Sequence, residues 1–204
     1  SVLHNMPEEF DVVTYGITKD GNWFKYTGSI EDLENDKWQL CYASVDLTPK
    51  DYKEKNYYMG GYISPDNKFK NLIENVVDKM QGRAIALDDG SGRGKVAFCV
   101  LDAIGIANAD VRLIRAAVKD FAEANNIVSI NVSVTHTHSG IDLQGVWDNT
   151  VGNVLNNITL GALGITELQS GVDRKFLQTI IDQTAKSIKD ATADMKTGEL
   201  TLAK

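Results

Sequence analysis

Apolar positions recur along this chain in two rhythms, and each predicts its own elements. Trp38 to Leu47 alternates as a strand and runs into Thr48-Pro49, a stop that removes a backbone donor. Arg83 to Leu87 and Lys95 to Leu101 are apolar runs on either side of Asp88-Asp89-Gly90-Ser91-Gly92-Arg93-Gly94, the pattern of two strands joined by a Gly-rich turn. Ile127 to Val134 is a β-branched run and reads as a further strand. The helical rhythm appears three times. Phe69, Leu72, Ile73, Val76, Val77 and Met80 predict a helix over 66–81, stopped by Gly82. Val111, Ile114, Val118 and Phe121 form one apolar face of a helix from Asn108, its expected N-cap, to about Asn125. A last helix is expected from Asp173 to Ala193.

The margins are less regular. Val12 to Tyr15 and Trp23 to Tyr26, split by Asp20-Gly21, suggest a hairpin within a peripheral extension over 1–37. Residues 141–171 are rich in Gly and Asn and read as a long surface segment. After Thr197-Gly198, Glu199-Leu200-Thr201-Leu202 starts like a strand, as if the natural protein continued beyond it.

The strand–helix–strand order of Lys95–Leu101, Asn108–Asn125 and Ile127–Val134 implies a right-handed βαβ unit. The expected fold class is α/β: a mixed, largely parallel sheet with flanking helices, in which 38–204 form part of a larger catalytic domain. Sheets of this kind place ligands beyond the carboxyl ends of their strands. Asp102 and the His136 region both sit at such ends.

Composition narrows the field further. At 204 residues, 43% hydrophobic and 24% charged, the chain can bury a substantial core, and disorder is not expected. A net charge of -7 with scattered Lys and Arg argues against a nucleic-acid partner. No stretch reaches the ~20 apolar residues of a transmembrane segment. Location stays open, with a secreted or cell-envelope setting favoured. Cys41 and Cys99 lie in separate apolar runs, without metal-ligand spacing, and read as buried thiols rather than a disulfide.

The candidate chemistry centres on Thr135-His136-Thr137-His138-Ser139-Gly140. Two histidines two residues apart in an extended strand point to the same face. Neutral imidazole is a good zinc ligand, but catalytic zinc takes about three protein ligands and a water. The remaining histidine, His4, is far away in the leader. The bland reading is a pair of polar residues at a strand end, bonded to backbone. Asp142 could ligate a metal, orient an imidazole or cap a turn. Asp102 could hold an imidazole N–H, fixing its tautomer, or bond local backbone N–H groups. The Gly-rich turn is not a phosphate loop, because the Walker spacing puts Asp89 and Val96 where Gly and Ser or Thr belong. No Gly-x-Ser-x-Gly elbow occurs, and no triad forms around Ser139. Tyr57, Tyr58, Tyr62 and Trp147 could line an apolar cleft or serve as packing.

Five segments, in order over about residues 40–204, carry a family resemblance. They are Ala43-Ser44-Val45-Asp46-Leu47-Thr48-Pro49, Met59-Gly60-Gly61-Tyr62, Arg83-Ala84-Ile85-Ala86-Leu87-Asp88-Asp89-Gly90, Val100-Leu101-Asp102-Ala103-Ile104-Gly105, and the Thr135–Gly140 hexamer preceded by Arg112-Leu113-Ile114-Arg115. The chain resembles the amino-terminal region of the neutral/alkaline, non-lysosomal ceramidase family and its bacterial relatives. That resemblance implies a zinc-dependent hydrolase of an amide bond, acting on a lipid or other N-acyl amide. His136 would be the zinc ligand, and His138 and Asp102 the candidate catalytic residues. Zinc would polarise the amide carbonyl and lower the pKa of its bound water. The family's further ligands lie downstream, and no histidine follows His138. The missing carboxy-terminal part would therefore complete the site, leaving this chain inactive alone. The competing readings are a non-catalytic scaffold or binding domain, and a metal-dependent hydrolase of a different ester or amide.

Overall fold

The computed structural model describes residues 12–17, 23–28, 38–62, 71–147, 150–164 and 171–198. Strands β1 (Val12–Ile17) and β2 (Trp23–Gly28) pair antiparallel as the hairpin expected from Asp20-Gly21, although the turn itself lies outside the described residues. The main sheet is built from β3 (Gln39–Asp46), β4 (Gln81–Asp88), β5 (Lys95–Leu101), β6 (Ile127–Val134) and the short β7 (Lys196–Thr197), in the order β6-β5-β4-β3-β7. It is a mixed sheet flanked by helices. Among the described residues, parallel pairing is confined to β5 and β6, a narrower parallel part than the apolar runs suggested. The pairs β3–β4, β4–β5 and β3–β7 are antiparallel. The crossover between β5 and β6 is α1 (Asn108–Ala117) followed by α2 (Lys119–Ala124), with Val118 at the break.

A long helix, α4 (Arg174–Ala193), lies across one face of the sheet. Phe176, Ile180, Thr184, Ser187, Ile188 and Ala191 recur at helical spacing and are buried there. The strands answer with small residues, Ala84, Ala86, Ala97 and Cys99, so the helix approaches closely. The Cys99 thiol lies 3.6 Å from the Ser187 hydroxyl across this seam. Each large aliphatic buried here contributes about 1.5–3 kcal/mol. The helix starts where Asp173 accepts a 2.8 Å hydrogen bond from the Phe176 N–H as its N-cap. Val111, Ile114 and Val118 are buried as expected, with Phe121 packed beside them. Asn108 is the first helical residue rather than the N-cap, which is Ala107 and makes no side-chain cap bond. Cys41 and Cys99 are both free thiols.

Two expectations fail. Residues 71–80 are not helical, and 66–70 lie outside the described residues. Leu72 instead bridges to Tyr58, the Ile73 N–H donates to the Tyr57 carbonyl, and Val77 is 90% exposed. Residues 71–73 thus pair their backbone with 57–59 instead of starting a helix. Within the expected surface segment, α3 (Thr150–Ala162) is a helix of 13 residues. The stretch Glu199–Leu202 lies outside the described residues, while Lys196 and Thr197 already pair with β3 at the sheet edge.

Candidate functional site

Three loops meet beyond the carboxyl ends of β5 and β6. They are 102–107 after β5, 135–147 after β6, and 57–62, which reaches across from the chain following β3. Backbone bonds fasten them together. The Gly60 N–H donates to the Gly140 carbonyl at 3.0 Å, the Asp142 N–H to the Tyr58 carbonyl at 2.8 Å, and Met59 bridges to Ile141.

The Gly60-Gly61 pair threads between neighbours that leave no room for a side chain. A Cβ at Gly60 would lie 2.6 Å from Ile104 Cγ2 and 3.5 Å from the Trp147 ring. A Cβ at Gly61 would lie 2.6 Å from the His138 ring, and its φ of +121° is itself a glycine conformation. The His138 imidazole is thus seated on the Gly61 backbone. Its ring packs edge-on to Tyr62 at 4.9 Å and to His136 at 5.3 Å between centroids.

His136 lies beyond the end of β6, in the left-handed region at φ 59°. The extended-strand premise for a shared face therefore fails, because the chain turns at His136 itself. The two rings still converge. His136 Nδ1 lies 2.7 Å from the Ile104 carbonyl oxygen. A carbonyl only accepts, so Nδ1 carries a proton and donates to it. His138 Nδ1 is buried without a partner. Trp147 Nε1, near the other side of the Gly-Gly pair, is also buried without a partner.

The two carboxylates of interest are engaged elsewhere. Asp102 accepts from Arg83 Nη1 at 2.9 Å and from the Gln81 N–H at 3.0 Å, tying the end of β5 to the start of β4. Asp142 is buried and accepts from the backbone N–H groups of Gln144, Val146 and Trp147 at 2.7, 2.7 and 2.9 Å. Of the three roles open to Asp142, it takes the turn cap. Tyr57 is packing, edge-on to Phe176 at 5.2 Å, with its hydroxyl donated to Asp51. Tyr62 reaches His138, and Trp147 backs the Gly60 loop. The Gly60-Gly61 clamp went unread in the sequence, although adjacent glycines are a signal of close backbone approach.

This arrangement overturns the zinc expectation. Among the described residues no group of three or more His, Cys, Asp and Glu side chains could hold a metal ion. The physical reason is visible: Asp102 and Asp142 spend their oxygens on Arg83 and backbone N–H groups. His4 lies outside the described residues. The described residues therefore contradict the expected zinc cofactor and zinc-dependent amide hydrolysis by this chain.

Comparison with solved structures finds the same architecture elsewhere. A ceramidase complexed with C2 superposes with a TM-score of 0.56 at 19% identity, covering 80% of this chain and 22% of that one. The neutral ceramidase from Pseudomonas aeruginosa matches at 0.56 and 17%, covering 80% and 23%. The likeness is one of fold. In sequence, curated relatives carry a different name, D-alanine–D-alanine ligase. The protein from Caldicellulosiruptor bescii is 46% identical over 55 residues, 24% of this chain and 15% of the ligase. That from Clostridium acetobutylicum is 29% identical over 143 residues, 68% of this chain and 36% of the ligase. The chain thus spans 15% and 36% of these two ligases, and under a quarter of either ceramidase. No family model matches the chain. No helix among the described residues is long and apolar enough to cross a membrane.

Proposed function

We propose that the chain is a non-catalytic binding domain whose loop cluster holds the amide head of an N-acyl lipid, the ligand class implied by its ceramidase-like fold. The observation that carries this reading is His136 at φ 59°, held to the Ile104 carbonyl beside a His138 ring seated on Gly61. A non-glycine residue in a sparsely populated backbone region costs about 1–3 kcal/mol and persists where surrounding structure enforces it, commonly at ligand clamps. The two rings lie 5.3 Å apart, and imidazole nitrogens donate or accept according to the tautomer. An amide supplies the matching N–H and C=O.

The test is a titration with a short-chain N-acyl amide lipid below its micellar concentration, following the imidazole resonances. Saturable shifts at both histidines, abolished by His138→Ala, are expected. Equal shifts with the deacylated amine, or no shifts, would overturn the reading.

A second reading rests on the 143-residue match to the D-alanine–D-alanine ligase of Clostridium acetobutylicum, which covers 68% of this chain. It predicts that D-alanine, and not the N-acyl amide, perturbs the same loops.

A further inference from the structure

In an antiparallel ladder, two residues that face each other as a hydrogen-bonded pair exchange both N–H···O bonds. At the end of the β4–β5 ladder that exchange is altered on one side. The Asp102 N–H donates to the Gln81 carbonyl at 2.8 Å, as a rung requires. The Gln81 N–H returns its bond to the Asp102 carboxylate instead, at 3.0 Å. The side chain has taken the place of its own backbone carbonyl. That carbonyl packs under Gly140, where an added Cβ would lie 2.7 Å from it. Arg83 holds the carboxylate in this role. It faces Val100 in the register and reaches diagonally to Asp102, two residues further along β5, at 2.9 Å.

Both rings of the site take their position from this turn. Ala103 and Ile104, the next two residues, are buried, and the Ile104 carbonyl lies 2.7 Å from His136 Nδ1. Gly140, seated on the Asp102 carbonyl, accepts from the Gly60 N–H at 3.0 Å, and the neighbouring Gly61 backbone seats His138. One route thus runs from Asp102 through Ile104 to His136. The other runs through Gly140 and the Gly60-Gly61 pair to His138. An ordinary rung would aim the Asp102 carbonyl at Gln81 and extend the chain along β4, carrying the Ile104 carbonyl away from His136.

We infer that Asp102, steadied by Arg83, is the positioning residue of the site. It acts through the backbone rather than by touching a ligand, and it sets the pose of both imidazoles by ending β5 in this way. Its bearing on ligand rests on the reading of the pair as an amide site; its bearing on the rings does not. The Arg83 and Asp102 side chains are 40% and 20% exposed. An ion pair this open to water contributes little to global stability, so the effect of the pair is local, on the turn that carries Ile104 and supports Gly140.

The experiment follows the nitrogen resonances of the histidine rings in ligand-free protein at about pH 9, above the ordinary imidazole range. A carbonyl at Nδ1 favours the tautomer protonated there, so the Nδ1-protonated share of His136 reads its contact with Ile104. The wild type should hold His136 mainly in that form. Asp102→Ala should lower the share by about two-fold or more and move the His138 ring resonances as well. Asp102→Asn keeps an acceptor for the Gln81 N–H, and Arg83→Met keeps the carboxylate, so each should fall in between. Asp173→Ala, a stability control at the start of α4, should leave both rings as in the wild type. Unchanged rings in Asp102→Ala, or equal changes in Asp173→Ala, would overturn the inference. Should circular dichroism show Asp102→Ala unfolded, the two milder variants decide, and wild-type rings in both would overturn it. Titration of the same samples with the short-chain N-acyl amide separates the two claims. A wild type that binds no amide, with rings that Asp102→Ala still displaces, refutes the amide site and leaves the positioning role standing.

Discussion

Replacing Gly61 by Ala tests the geometry on which the site rests. The new methyl group would sit 2.6 Å from His138 Cγ and Nδ1 and 2.8 Å from its Cβ, below any ordinary carbon contact. Its φ of +121° adds backbone strain that glycine alone escapes. Gly92 provides the internal control: it also has positive φ, +81°, but a Cβ there meets nothing within 4 Å. Gly92→Ala should therefore express the backbone term, ~1 kcal/mol. Gly61→Ala should add the cost of moving a packed ring, for a total of ~3 kcal/mol. For a domain of this size that difference corresponds to melting points lower by ~3 °C and ~9 °C. Urea unfolding gives the free energies, and the His138 imidazole resonances report whether the ring has moved. Equal losses for the two variants, or an undisturbed His138 with Gly61→Ala, would refute the claim that the Gly61 backbone seats this histidine.

Asp142→Ala should destabilise the fold by ~3 kcal/mol, because three backbone N–H groups lose a buried charged acceptor, whereas Asp142→Asn should cost less; chemical denaturation of the pair decides it. Asp173→Ala should cost ~1 kcal/mol through loss of the α4 cap. The Phe176 N–H, together with Lys55, holds the Asp173 carboxyl below its ordinary value. Its share of stability should thus be full above about pH 4 and fade as pH falls through the depressed folded value, so wild type and Asp173→Ala should converge in acid. Burial pushes the Cys99 thiol up, so the folded protein at neutral pH should resist thiol reagents there and react only on unfolding, as followed by thiol-labelling rates. Fast labelling of Cys99 in native buffer would contradict its place under α4.

Much of the frame was legible because its signals are local. A strand or helix shows its buried face through a period of 2 or 3.6, which is why β5 and β6 begin and end where their apolar runs do. The last helix was expected from Asp173, and Asp173 caps α4 where it begins. The same local reasoning misled at 71–80, where helical spacing hid residues whose backbone pairs with a loop distant in sequence. It also passed over α3, because Gly and Asn suggested a surface segment while the apolar stripe faces outward rather than into a core.

The sequence by itself determined the α/β architecture, the crossover between β5 and β6, and the placing of His136, Asp102 and their neighbours at strand ends. Only the tertiary structure decided what those side chains do. His136 Nδ1 is taken by a carbonyl 32 residues away, Asp102 by Arg83, and Asp142 by three N–H groups of its own turn. A carboxylate oxygen already satisfied by protein is not free to hold a metal, which leaves the histidines without a third ligand among the described residues. Which partner satisfies it depends on how the loops fold over one another, and no periodicity in the chain records that.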